Sequence, residues 1–474
     1  MYRLRKISHV LDQFQELEKQ EIYFAAFEEL NDPMEGYRDI FWRGDKIVWK
    51  NLLINYIKSV EHFFCLALLL ADTKEMNAND VLVNFSGSIR RHSPEAKQLI
   101  EEIITTVFQF SEIAALPEAL AARESPVMRE ELRLYLNSFH RLVLHSISLV
   151  YQKKARRFTI PFAIPQTIER HYLDLLEKLP AMTNQLEREN LQMERPAQRM
   201  YRVVKIVTDN VLLSLQIQRE AMNRSSNYFY LLNEFTEVYL SKLETIVYPE
   251  AYIASFMKSC SNSAAWGHYG EAHTGVCLKF KTQDVDGHRL RLRTEIGASG
   301  GRDTIVKPIF GVVAHELHQI SYKNEPISVD FFNSLSRLTK HEADVFWYTD
   351  EKGNRSECGM DLQNKKEDWH DKYWDTFHRG LLSKSAAWSY EEESRVILQG
   401  NFIDYSQKAS RKLTYDFSDL EGIIFGIKTK AADKARIVKI IKEKCEKNGR
   451  TEFDFYQADY SSWTDQVEMY KVDL

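Results

Sequence analysis

Hydrophobic and polar positions follow two different periods along this chain, and the change between them predicts its organisation. From about residue 46 to residue 243, apolar residues recur three or four positions apart, as in Leu52, Tyr56, Val60 and Phe63. This spacing places the side chains on one face of a helix. Glycine is almost absent from the same segment, so we predict a bundle of six or more helices there.

Short runs of β-type residues lie on both sides of the helical segment. They include residues 22–25, 252–257, 275–280, 395–398 and 422–427. The economical interpretation is an α+β fold in which a mixed β-sheet domain is split in sequence by a large all-α insertion. We place the α+β domain at residues 1–47 and 246–450, the helical insertion domain at 48–245 and a C-terminal tail at 451–474.

Composition places the chain among globular proteins and limits its partners. Hydrophobic residues make up 44% of the 474 positions, and the formal net charge of −5 gives no general attraction to nucleic acid or to anionic membranes. The five cysteines are scattered without a CxxC pair, which is typical of a reducing compartment. No signal-peptide pattern or membrane span is visible, so we expect a cytoplasmic protein without membrane contact.

The segment 388–395 carries the densest candidate chemistry. Interpreted as a β-strand, it places Glu391, Glu393 and Arg395 on one face, opposite a mostly apolar face. Two carboxylates and a guanidinium on one strand face are costly to hold together without a partner or a ligand. The segment is therefore a candidate site.

A helical interpretation of this segment is the alternative. Ser389 and Glu392 have the spacing of a helix capping box, and Glu391 with Arg395 would form an i,i+4 pair on a solvated face. The β-type residues 396–398 favour the strand instead. Since a strand can also be a solvated edge, the pattern alone does not establish a site.

Metal-binding patterns are weak. Cys260, His268, His273 and Cys277 lack the short ligand pairs of a zinc site, and Cys277 lies in an apolar run. The histidines of segment 315–318 are three positions apart, whereas the helix of a zinc protease has them four apart. No glycine-rich phosphate loop is present either. We predict no zinc site and neither a Rossmann nor a P-loop fold.

Five separated motifs occur in an order that resembles a bacterial family, the domain of unknown function 2971. They are Tyr2-Arg3-Leu4-Arg5, residues 22–25 with Asn31-Asp32-Pro33, Trp266-Gly267-His268-Tyr269 with residues 273–277, the segment 388–395, and Ile423-Ile424-Phe425-Gly426. Leu4, Leu30 and Ser394 depart from the family pattern. The resemblance covers about residues 1–40 and 250–445, and it implies no activity.

An early arginine, a later strand with small hydroxyls and a Glu-x-Glu pair are also similar to the order found in ADP-ribosyltransferases. The resemblance implies NAD as a substrate, with loss of nicotinamide leaving a cationic ribosyl centre that a carboxylate stabilises. It also implies roles for particular residues. Arg5 would bind phosphate, and Ser259 and Ser261 would form the Ser-x-Ser segment. Glu393 would be catalytic, Glu391 would orient or activate the acceptor, and Arg395 would belong to the same site. Tyr23, His268 or Tyr269 would stack on nicotinamide. The acceptor would be a protein or a nucleic acid.

Two other classes of function stay open. In a Mg²⁺-dependent nuclease or hydrolase, Asp32, Glu35, Glu391 and Glu393 would bind the metal, with Lys384 as an electrophile. In a non-catalytic ligand-sensing or protein-interaction module, the Glu/Arg cluster would be a buried structural network. The helical insertion would bind a protein partner or cover the α+β domain, and an intracellular toxin or defence effector would use it to sense a trigger.

Overall fold

The computed structural model describes two compact units. The described residues are 1–32, 34–70, 74–83, 93–154, 164–189, 195–221, 227–283, 288–299, 307–323, 327–360, 367–400 and 403–474. The sheet unit comprises Met1–Tyr37, Glu250–Ile327 and Phe377–Leu474, and the helical unit comprises Arg38–Pro249 and Ser328–Thr376. The predicted α+β class is confirmed.

Strands occur in both units but are concentrated in the sheet unit. In chain order they are β1 (Tyr2–Arg5), β2 (Glu21–Tyr23), β3 (Asp39–Trp42), β4 (Val127–Met128), β5 (Tyr252–Met257), β6 (Val276–Phe280), β7 (Arg289–Ser299), β8 (Lys307–Glu316), β9 (His318–Gln319), β10 (Ser321–Tyr322), β11 (Ser328–Asp330), β12 (Ser383–Lys384), β13 (Glu393–Leu398), β14 (Lys412–Thr414), β15 (Leu420–Phe425), β16 (Asp454–Ser461) and β17 (Gln466–Val472).

The α-helices are longest in the helical unit. In chain order they are α1 (Glu16–Lys19), α2 (Lys46–Leu69), α3 (Pro94–Val107), α4 (Ser111–Ala121), α5 (Arg129–Lys153), α6 (Gln166–Glu189), α7 (Pro196–Ala221), α8 (Asn227–Asn233), α9 (Phe235–Glu244), α10 (Ser263–Tyr269), α11 (Lys340–Ala343), α12 (Glu367–Leu382) and α13 (Ala431–Asn448). Single turns of 3₁₀- or π-helix occur at Ser8–Asp12, Phe27–Glu29, Ala78–Asp80, Asp344–Tyr348, Ala386–Glu391 and Phe417–Asp419.

The sheet unit is built on an eight-stranded mixed sheet in the order β17-β16-β15-β6-β1-β5-β13-β9. Its neighbouring strands are antiparallel except β15 and β16, which are parallel. A second sheet has the order β2-β14-β7-β8. The main core joins the two sheets and includes Phe256, Leu278, Leu292 and Leu413, with Ile437 of α13 buried in the same cluster.

β1 and β5 pair with each other over a much shorter length than each of them pairs with its other neighbour in the sheet. β1 pairs with β6 along four residues, from Tyr2 to Arg5, whereas its register with β5 holds only Tyr2 opposite Met257. β5 itself pairs with β13 along its full length. The sheet therefore separates between β1 and β5, which are adjacent in its middle.

The helical unit surrounds the long helix α2. Asp45 caps α2 by accepting hydrogen bonds from the backbone N–H groups of Ile47 and Val48. By length and composition α2 is apolar enough to cross a membrane, with a mean hydropathy of 1.4 over its most apolar window. Yet 61% of that window is buried inside the protein, as in a core helix.

The unit boundaries differ from the predicted domains mainly at two places, apart from residues 38–47 and 246–249, which group with the helical unit. Residues Ser328–Thr376 group with the helical unit, because β11 pairs with β3 in a three-stranded sheet. Residues 451–474, predicted as a tail, contain β16 and β17, which extend the main sheet. Phe455 and Val467 are buried there, but the strands alternate too irregularly for the sequence to reveal them. Pro33 of the predicted Asn-Asp-Pro turn lies outside the described residues.

Candidate active-site cavity

A cavity of about 890 Å³ opens in the sheet unit where β1 and β5 separate. This volume is within the range of sites for drug-sized ligands and cofactors. Residues 2–5 of β1 and residues 253–257 of β5 form part of its wall. Of the residues assigned by the ADP-ribosyltransferase resemblance, six line it: Arg5, Tyr23, His268, Tyr269, Glu391 and Glu393. Glu35 and Lys384 of the metal hypothesis line it as well.

The two predicted catalytic glutamates reach this cavity from different elements. Residues Ala386–Glu391 form a 3₁₀-helix, and β13 begins only at Glu393. Glu392 between them has a left-handed backbone, with φ of +45°. The hydroxyl of Tyr322 accepts a hydrogen bond from the backbone N–H of Glu393 at 2.7 Å, which holds the strand just after this turn.

The prediction of one continuous strand through segment 388–395 is therefore wrong before Glu393. Side chains alternate between the two faces of a sheet only along an extended strand. The left-handed backbone of Glu392 interrupts that alternation, so the prediction that Glu391 and Glu393 share one strand face does not apply. The capping-box alternative is not observed either, because Ser385 is the residue that caps the 3₁₀-helix. Glu391 and Glu393 nevertheless converge, because both bind the same lysine.

That lysine is Lys384, whose side chain is only 5% exposed. Its ammonium contacts Glu35 at 2.7 Å, Glu391 at 2.6 Å and Glu393 at 3.2 Å. An ammonium has three hydrogens to donate, so these carboxylates saturate it. The Trp388 ring lies against the same group, with its centroid 4.9 Å from Nζ. The sequence prediction gave Lys384 and Glu35 a role only in the metal hypothesis.

Arg395 is the second cation of this buried ion cluster. Its guanidinium donates two hydrogen bonds to Glu393, at 2.7 and 3.1 Å, one to Glu35 at 2.9 Å and one to the carbonyl of Leu381 at 2.7 Å. Arg395 is fully buried and is not among the lining residues of the cavity. The structure thus places it as a residue that orients Glu393, whereas the prediction grouped it with the catalytic carboxylates.

The cluster drives the pKa values of its two cavity-facing glutamates in opposite directions. Burial raises the pKa of Glu391, although Lys384 and the hydrogen bond from Tyr269 oppose this. Burial also disfavours the charge of Glu393, but Arg395 and Lys384 outweigh it, and the pKa of Glu393 is lowered. Two carboxylates with separated pKa values suit one group that stays ionised and another that exchanges a proton.

Tyr269 fixes the second oxygen of Glu391. Its hydroxyl donates a hydrogen bond to Glu391 Oε1 at 2.6 Å, while Lys384 occupies Oε2. Burial and this bond to a carboxylate both raise the pKa of Tyr269, so the phenol stays protonated. The prediction that Tyr269 stacks on a ligand remains untested, but its hydroxyl is already engaged.

Ser255 is a cavity residue that the sequence prediction missed. It is the one exposed position in β5, whose other residues are buried, and it lies opposite Arg395 in the register. Its hydroxyl bonds to Glu393 and helps to lower the pKa of that carboxyl. The predicted Ser259 and Ser261 lie beyond the end of β5, bond to each other at 2.8 Å and are not among the lining residues.

Two arginines of β1, Arg3 and Arg5, line the cavity. Arg5, predicted to bind phosphate, already forms a double hydrogen bond with Glu16. Arg3 is 8% exposed, donates to the carbonyl of Tyr23 at 3.1 Å and has a buried Nη1 that meets no acceptor in the described part of the chain. A buried guanidinium without a carboxylate is costly unless a ligand supplies the acceptor. Arg3 is therefore the better candidate for an anion.

Aromatic rings gather near the glutamate end. The exposed His268 ring lies 6.0 Å from that of Trp388 and 6.4 Å from that of Tyr390, between centroids. The predicted residue Tyr23 is at another part of the wall, where its hydroxyl donates to Glu29 at 2.8 Å. His268 and Tyr23 therefore do not form a single stacking platform.

Of the comparisons with known proteins, the one with protein families gives a match. A family model described as "Protein of unknown function (DUF2971)" matches residues 265–396, a range that contains Tyr269, Lys384, Glu391 and Glu393. Neither the curated proteins nor the solved structures give a match to this chain. The match begins at residue 265, so the resemblance of the N-terminal motifs stays a prediction. The match over residues 265–396 supports the DUF2971 family that the order of the motifs predicted.

Proposed function

We propose that the sheet unit is an NAD-using ADP-ribosyltransferase-like enzyme, in an intracellular bacterial effector of toxin or defence type. The observation that carries this proposal is the position of three adjacent strands, β1, β5 and β13. Arg3, Ser255 and Glu393 all line the cavity that opens where the first two strands separate, and the register places Arg3 on the sheet face opposite to that of Ser255 and Glu393. An arginine, a serine and a glutamate from successive strands are the elements that the ADP-ribosyltransferase resemblance requires.

Size and charge support NAD as the occupant. The volume of about 890 Å³ is near the upper part of the range for ligand sites, as a dinucleotide needs. NAD has an anionic diphosphate and a cationic nicotinamide ring. Arg3 and Lys6, which line the cavity, would bind the diphosphate, and Glu391 and Glu393, which also line it, would face the nicotinamide ribose.

The two glutamates would divide the work of the transfer step. The bond between ribose C1′ and nicotinamide breaks, and nicotinamide leaves as a neutral molecule with the bonding electron pair. Ionised Glu393, held by Arg395 and Ser255, stabilises the positive charge that develops on the ribose. The acceptor then attacks C1′ and loses its proton to Glu391, whose raised pKa suits a general base.

The Mg²⁺-dependent hypothesis finds less support in this geometry. Glu35, Glu391 and Glu393 do converge, but on Lys384 and Arg395, which already neutralise most of their charge. A divalent cation would have to displace the ammonium. The non-catalytic hypothesis keeps one supporting fact, since a saturated buried network also holds structure together. The exposed Ser255 and the unpaired Nη1 of Arg3 favour a ligand site over that alternative.

Cellular context and partners belong to the same proposal. The five cysteines are free thiols, two of them only partly buried, which suits a reducing cytoplasm. The acceptor would be a protein or a nucleic acid, and the helical unit would bind a protein partner.

The test is nicotinamide release from labelled NAD by the purified full-length chain. It is run with and without Mg²⁺, and with candidate protein and nucleic-acid acceptors. Glu393→Gln should abolish release, and the exposed neighbour Glu392 gives a matched control, Glu392→Gln, that should retain it. Mg²⁺-dependent cleavage of nucleic acid without NAD consumption would instead support the nuclease. No NAD binding at all by the folded protein would support the non-catalytic module.

A further inference from the structure

Helix α7 turns an apolar face away from the bundle to which it belongs. Of its 26 residues, only Ala197 and Tyr201 are buried. Eight large apolar side chains are each at least 36% exposed, and together we call them the α7 apolar face: Met200, Val203, Ile206, Val207, Val211, Leu213, Leu215 and Ile217. A contiguous exposed apolar surface of this kind on a globular protein marks an interaction site.

The opposite side of the same helix makes polar contacts with its own unit. Asp209 binds both Arg133 and Lys205 at 2.5 Å, and Gln216 donates a hydrogen bond to Glu234 at 2.9 Å. A surface helix of a single bundle normally has the reverse arrangement, with apolar residues inside and charges outside. The inverted pattern of α7 therefore requires a second packing partner.

We propose that this partner is a second copy of the chain, with the two α7 helices packed antiparallel about a two-fold axis. Between Val203 and Ile217 the exposed positions are apolar or neutral, so the face meets its own copy without repulsion between like charges. Asn210 lies at the middle of this stretch, where the two amides face each other across the axis.

The charges at the ends of the helix favour the antiparallel direction. Exposed Arg199 and Arg202 lie at the N-terminal end, and Glu220, which also pairs with Arg219 of the same helix at 2.9 Å, is exposed at the C-terminal end. Antiparallel packing brings the arginines of one copy close to the glutamate of the other, whereas parallel packing would place arginine beside arginine. The charges at the two ends of α7 therefore favour antiparallel over parallel packing of the two copies.

The area of the face is sufficient for a stable dimer. Burial of one aliphatic side chain removes roughly 100 Å² of apolar surface, and about half of that is still exposed at each of the eight positions. Two copies would therefore bury up to about 800 Å² of apolar surface if the interface covered all eight positions. With the usual share of polar surface at the rim, the upper limit is roughly 1,300 Å², at the lower end of the range of specific protein interfaces.

Sedimentation velocity of the full-length chain over a range of micromolar concentrations tests this inference. We expect a dimer for the natural sequence and a monomer for Val207→Glu at the same concentrations, a loss of affinity of a hundredfold or more. Val345→Glu is the matched control, because Val345 is 50% exposed and lies away from α7 in the sequence, at Asp344–Tyr348 of the helical unit. This control should dimerise like the natural sequence.

Other outcomes would overturn the inference. They are a natural chain that stays monomeric, a Val207→Glu variant that dimerises normally, equal loss in the Val345→Glu control, or binding of the chain to anionic lipid vesicles in place of self-association. If circular dichroism shows that Val207→Glu is unfolded, the milder Val211→Asn takes its place with the same expected result. The inference does not depend on the proposed enzymatic function.

Discussion

Replacement of Lys384 by methionine tests the buried ion cluster directly. Lys384→Met keeps most of the side-chain volume but removes an ammonium that binds three carboxylates at 2.6 to 3.2 Å and is only 5% exposed. Arg395 then remains as the single cation among Glu35, Glu391 and Glu393. Loss of one partner from a buried ion pair costs about 3–5 kcal/mol of unfolding free energy, and we expect a loss of that size at neutral pH.

The pH dependence of this variant follows from the carboxyl that is left unpaired. The folded-state pKa of Glu391 is already above its ordinary value, and Lys384 is one of the groups that hold it down. Without the ammonium this pKa rises further, so the folded protein binds a proton more tightly than the unfolded chain does. The stabilisation from that proton is present at low pH and is lost as pH rises through the folded-state pKa.

Lys384→Met should therefore be closest to the natural protein in stability just below the ordinary carboxyl range, and should fall behind as pH rises towards neutral. Urea unfolding of both proteins at several pH values measures this, with Lys408→Met as the control. Lys408 is 76% exposed and pairs with Glu29 at the surface, so its loss should cost no more than about 1 kcal/mol. Equal, pH-independent effects of the two substitutions would refute the reasoning.

Three further predictions concern the cavity. Arg3→Gln should weaken NAD binding about tenfold to a hundredfold, because a charge-assisted hydrogen bond contributes roughly 1.5–3 kcal/mol. Arg5→Gln should have less effect, since Glu16 already pairs with Arg5. Calorimetric titration with NAD compares the two variants. Tyr269→Phe removes a bond that lowers the pKa of Glu391, so the acidic limb of the pH–rate profile should move to higher pH, and an unchanged limb would argue against Glu391 as the base. Ser255→Ala should lower the rate of nicotinamide release with little change in thermal stability, and a large loss of stability with normal kinetics would assign Ser255 a structural role only.

The fold class was predictable from the sequence because its two periods are regular. Helical spacing over α2 and α5 has no competing signal, and the apolar runs at β5, β6 and β15 are short and bounded by turn residues. The strands β16 and β17 escaped prediction because only a few of their positions are buried. Strands with one weakly buried face, such as β17 at the sheet edge and β16 beside it, do not show a clear alternation.

The candidate site was predictable only where the chemistry is local. Glu391 and Glu393 are two positions apart, so the sequence could mark their segment as a candidate site. Glu35 is 360 positions from Arg395, and no sequence pattern could show that they share a hydrogen bond. Ser255 could have been recognised as a candidate, since it is a single hydroxyl within an otherwise apolar run of β5. No sequence pattern indicated the left-handed backbone of Glu392, because glutamate rarely adopts that conformation.

Nicotinamide release from NAD by the full-length protein and by its Glu393→Gln variant, with Glu392→Gln as the control, is the most direct test of catalysis by Glu393. We expect release by the natural sequence and by the control, and a loss of at least a hundredfold in Glu393→Gln while the variant still binds NAD. Release that continues unchanged in a folded Glu393→Gln protein would contradict the central claim that this carboxylate stabilises the transition state.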